Sequence, residues 1–167
     1  MLKNKIKKID FETFKRIASY YTNQDYCKEV LSSLALNLDT SNVDKLFLVT
    51  ICYESQLFLP LVYILTSDDK FDYITCLNIV FKRMSEGQDD CLEMGYLILT
   101  LMSYTFQKNW FNPEKTKEIP DHLFTGICSQ ILTWFLEENI FKKMLEFDII
   151  KVFQVLELLF EAPCHDA

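Results

Sequence analysis

Three glycines and four prolines in 167 residues are the tightest constraint this sequence places on a fold. Gly87, Gly95 and Gly126, with Pro60, Pro113, Pro120 and Pro163, supply too few turn-formers for a sandwich or barrel, which needs a turn signal roughly every 8–12 residues. Half of the residues are hydrophobic and 14% are aromatic, so the chain has the apolar side chains that a packed core requires and a disordered segment lacks. An all-α fold follows, expected as a single domain over 1–162 with a short tail at 163–167.

The helical signal is a recurrence of apolar residues every three or four positions. Asp10 is placed to cap a first helix bearing Phe11, Phe14, Ile17, Ala18 and Tyr21, and a second is expected over 24–36. Ser41 and Asp44 resemble a capping box ahead of Leu46, Phe47, Val49 and Ile51, with another helix expected from near Ser55. Pro60 either lies in the first turn of its helix or bends it, since its ring removes one amide donor. A further helix runs from about 71 to 84, with Lys82 and Arg83 suited to its negative end and Gly87 as a left-handed stop. Asp89 or Asp90 opens the next, so apolar through Phe106 that neighbours should surround it. Pro120 suits the first position of a helix carrying Leu123, Phe124, Ile127, Ile131, Trp134 and Phe135. After a short helix over 139–147, Asp148 should cap a last one whose polar stripe is narrow, leaving it two packing sides. About eight or nine helices on short loops favour stacked helical hairpins, an α-solenoid-like segment, over a closed bundle.

Charge and cysteine usage remove several function classes. The net charge of −7 argues against a nucleic-acid surface, which needs a basic stripe to displace counterions. The basic leader at Lys3, Lys5, Lys7 and Lys8 reads as a solvated chain end, with an anionic membrane surface as its sharper alternative. Six cysteines without a CxxC pair read as free thiols in a reducing, cytoplasmic setting. No apolar core follows the basic start, so no signal peptide is expected. The longest stretch free of Asp, Glu, Lys and Arg, His122 to Leu136, is fifteen residues, short of the ~20 that cross a bilayer.

Catalytic and metal chemistry find little footing. Phosphate cradles need closely spaced glycines, and the nearest two here stand eight residues apart. His122 and His165 are the only histidines; Cys164 beside His165 lacks the local ligand pairs of a zinc site. The acidic pairs Asp68-Asp69, Asp89-Asp90 and Glu137-Glu138 fall at expected helix boundaries. No catalytic residue, metal or cofactor is expected, and the chain reads as a non-enzyme. The feature that stands apart is the loop entered from Gly95–Phe106, where Trp110, Phe111 and Pro113 interrupt polar residues. Large apolar side chains in a polar loop either fold back on the helices or meet a partner, which makes these three the candidate partner-binding residues.

At this junction the chain resembles the vacuolar protein sorting-associated protein eight family, the CORVET-specific endosomal tethering subunit. The resemblance rests on Leu57–Leu65 followed by Phe71–Thr75, then Gly95–Phe106 and the aromatic-proline loop, and finally Phe135-Leu136, Leu145–Asp148 and Val152–Glu161, in that order. Where the family tends to place Gly-Arg before the loop aromatic, this chain has Gln107, Lys108 and Asn109. The resemblance implies a piece of the central or C-terminal α-solenoid of a larger subunit, peripherally associated with endosomal membranes. It also implies other tethering subunits and an endosomal Rab GTPase as partners. The expected function is therefore a scaffold in vesicle trafficking and early-endosome fusion. The alternatives are a helical domain holding a small molecule or lipid in an aromatic-lined pocket, and an enzyme pairing His122 with a cysteine.

Overall fold

The computed structural model describes residues 11–21, 45–54, 57–66, 72–87, 89–111 and 117–161. Seven helices lie among them, with no strand and one isolated antiparallel bridge between Asn109 and Glu118. The chain is thus all-α over these residues. The helix expected over 24–36, the capping residues Asp10, Ser41 and Asp44, and the basic leader fall outside the described residues. The chain divides into two compact units, Met1–Asp68 and Asp69–Ala167.

The first unit holds α1 (Phe11–Tyr21), α2 (Lys45–Glu54) and α3 (Phe58–Thr66). Phe14 is fully buried while Lys15 and Arg16 beside it are exposed, as expected of an amphipathic helix. α2 and α3 pack together, and the Leu57 amide donates to the Cys52 carbonyl at 2.8 Å across their junction. α3 begins at Phe58, so Pro60 occupies its first turn, where an amide has no intrahelical partner to lose. Tyr53 meets Phe58 edge-on, with ring centroids 6.0 Å apart.

The second unit is built from α4 (Tyr73–Ser85), α5 (Cys91–Phe106), α6 (Asp121–Phe135) and α7 (Glu138–Glu161). Asp72 caps α4 by accepting from the Thr75 amide at 3.1 Å and the Thr75 hydroxyl at 2.8 Å. α4 stops at Gly87, whose φ of 69° is open to a residue without Cβ. Asp90 precedes α5, but its carboxylate is turned to Arg83, whose Nε donates to both oxygens at 3.1 and 3.0 Å. The 86–90 connection is therefore clamped by a half-buried ion pair rather than by a cap.

α5 packs against α4, α6 and α7, which accounts for its nearly uniform apolar sequence. Its contact with α7 is close: a Cβ added at Gly95 would lie less than 3.0 Å from the Phe147 ring. Trp134 ties α6 to α4 by donating its indole N–H to Asn78 Oδ1 at 2.7 Å, with Phe81 edge-on at 6.0 Å. Past the Leu136-Glu137 turn, Phe141 packs edge-on against Phe135 at 5.6 Å.

α7 is kinked at Asp148, whose φ of −163° and ψ of 88° leave the helical region. That is where the sequence separates a short helix from a capped one. The Asp148 carboxylate accepts from the Lys151 amide at 3.0 Å, the bond of an N-cap. Its other oxygen accepts from the Tyr96 hydroxyl of α5 at 3.1 Å, which raises the Tyr96 phenol above its ordinary range.

Candidate functional site

The loop after α5 is built from the helix end outward. Lys108 takes a left-handed conformation with φ 68°. From it the Lys108 amide donates to Thr105 O and the Asn109 amide to Tyr104 O, both at 2.9 Å, the paired bonds of a Schellman ending. The Trp110 amide donates to Lys117 O and the Ile119 amide to Lys108 O, each at 2.8 Å, so residues 108–110 and 117–119 lie side by side. Lys108 Nζ pairs with Glu118 at 3.0 Å and with Asp121 in the first turn of α6, and these partners raise its pKa, the Asp121 hydrogen bond first. A lysine stands where glycine is usual, and its side chain links both ends of the loop.

This geometry folds the two loop aromatics inward. Trp110 is 5% exposed and Phe111 2%, with the Phe111 ring against Tyr104 of α5 at 5.2 Å. Of the two readings open to them in the sequence, packing back on the helices describes their placement. Pro113 lies outside the described residues. Ile119, where the chain pairs back with Lys108, is fully buried as well.

The other chemistry-bearing residues are dispersed. His122 is exposed in the first turn of α6, and Cys128 sits about 9 Å further along the same helix axis. Cys52, Cys76, Cys91 and Cys128 are free thiols. Burial pushes Cys52 up to about 12, Cys128 up to about 11 and Cys76 further still, so the three stay protonated and poorly nucleophilic. Among the described residues no group of three or more His, Cys, Asp and Glu could hold a metal ion. None of the helices described is long and apolar enough to cross a membrane.

What the sequence reading did not single out is the outer face of α7. Ile149 (53% exposed), Ile150 (70%), Phe153 (49%) and Phe160 (88%) lie in the open, while Val152 and Val155 on the adjoining face are buried. The signal was available: Ile149, Phe153, Leu156 and Phe160 recur at intervals of four, three and four. The periodicity gives this helix a second packing side. Compared with known protein families, curated proteins and solved structures, the chain matches none.

Proposed function

We propose that the chain is a non-enzymatic scaffold segment of an endosomal membrane-tethering subunit, a run of stacked helical hairpins whose outer surfaces bind other proteins. The observation that supports this reading is the doubly apolar end of α7, one face seated on its own unit and the other left open. A helix in a stack buries both sides against successive neighbours. The partners in this reading are other tethering subunits and an endosomal Rab GTPase, and the chain is peripheral to the membrane.

The test is a pull-down from cell extract with the full chain as bait, blotted for tethering subunits and for endosomal Rab GTPases in both nucleotide states. Recovery of either class upholds the reading; recovery of neither, with the bait shown to be folded, removes it. Because Trp110 and Phe111 are buried, they act here as the loop's anchor, so Trp110→Ala/Phe111→Ala should lower stability. Capture by that variant at a temperature where it remains folded should persist, and a selective loss of capture would make the loop itself a contact surface.

A further inference from the structure

On a helix of 3.6 residues per turn, Ile149, Phe153, Leu156 and Phe160 fall within about 60° of one another. Their spacing is that of a helix–helix seam, and the strongly exposed Ile150 widens it on the solvent side. By the same rotation Glu157 and Glu161, both exposed, border the seam next to Ile150, whereas Lys151 projects from the far side of the helix. The surroundings share that sign. Residues 69–167 hold 9 Lys/Arg and 16 Asp/Glu, so the whole net charge of −7 belongs to this unit, while residues 1–68 balance at 8 and 8.

We infer that this face of α7 docks a basic amphipathic helix of another protein, with apolar side chains at alternating three- and four-residue spacing and Lys or Arg opposite Glu157 and Glu161. The inference rests on the scaffold reading and deepens it by naming the surface and the partner's chemistry. Charge complementarity selects this occupant. A second copy would bring one acidic unit against another, and an anionic bilayer would repel the same carboxylates.

The experiment uses the full chain and a fluorescent synthetic peptide of roughly 20 residues, long enough to be helical when bound, with Leu at the seam spacing and Lys flanking it. One comparator has the same composition scrambled off one face; another carries Glu in place of Lys. The seam peptide should bind, and both comparators should bind at least about tenfold more weakly. Phe153→Ser/Phe160→Ser, at exposed positions, should weaken binding about tenfold or more with circular dichroism and urea midpoint unchanged. Glu157→Gln/Glu161→Gln should flatten the salt dependence of binding.

Equal binding of the scrambled peptide, equal binding of the Glu peptide, or indifference to the serine substitutions overturns the inference. So does a concentration-dependent dimer in sedimentation velocity that the serine substitutions abolish, which would make a second copy the occupant. The two proposals separate cleanly. Peptide binding with a pull-down empty of tethering subunits keeps the surface and removes the tether; a successful pull-down unaffected by the serine substitutions does the reverse.

Discussion

Gly95 shows how a single missing side chain positions two helices. In the second turn of α5 it forgoes about 1 kcal/mol of helix propensity relative to alanine, and in exchange the Phe147 ring of α7 lies over its backbone. Gly95→Ala should displace that ring and its 5.0 Å edge-on contact with Tyr96, for a net loss of about 1 kcal/mol once overpacking outweighs the propensity gain. Urea denaturation measures this, and a double-mutant cycle with Phe147→Ala should show strong coupling. A fully additive cycle would mean that the two residues do not meet. Nothing in the sequence marks Gly95, because an apolar helical pattern runs straight across it. Gly87 is legible for the opposite reason: it follows Lys82 and Arg83, where a helix ending is already signalled, and its φ is positive. Trp110 and Phe111 stand between these cases, conspicuous in the sequence but assigned to the interior only by the loop's return to Ile119.

Helix ends carry the next layer of specification. Asp148 is legible in the sequence as a cap, and the structure adds that it is also the point where α7 bends and where Tyr96 attaches. Asp148→Ala should cost about 1 kcal/mol as a lost cap, with a drop in helical circular dichroism, and Asp148→Asn should recover most of it. An alanine variant as stable as the parent would deny Asp148 that role. The sequence offers Asp89 or Asp90 to open α5; Asp90 does precede it, but its carboxylate serves Arg83 instead. That choice depends on a residue seven positions away, so a local capping rule does not see it. Asn78 is similar: an exposed polar residue on α4, it accepts the Trp134 indole N–H of α6. Asn78→Ala should cost about 1 kcal/mol in urea midpoint measurements and shift Trp fluorescence; an unchanged spectrum would show that the bond contributes nothing.

For the molecule as a whole, the division into two units with all of the net charge in one gives the chain an acidic body at 69–167 and a balanced segment before it. Buried thiols make its stability depend on alkaline pH. Burial raises Cys52 from 9.0 to about 12 in the folded chain, so the unfolded chain releases that proton first. The associated stability is complete below about pH 9 and declines as pH rises toward 12. The slope from this one thiol is about 1.4 kcal/mol per pH unit, and Cys76 and Cys128 act in the same direction. Urea midpoints taken between about pH 8 and pH 11 should fall accordingly, and Cys52→Ala should flatten the fall; an unchanged slope would place the alkaline sensitivity elsewhere.

Helix content, the stop at Gly87, the cap at Asp148, the crowding of α5 and the free thiols were determined by the sequence alone, because each follows from local propensity, capping chemistry or apolar periodicity within a few turns. The seating of the loop aromatics, the diversion of Asp90 to Arg83, the closeness that Gly95 permits and the open face of α7 were decided only by tertiary structure. These depend on which of two apolar sides finds a neighbour. Periodicity states that a helix has such sides but not what lies against them.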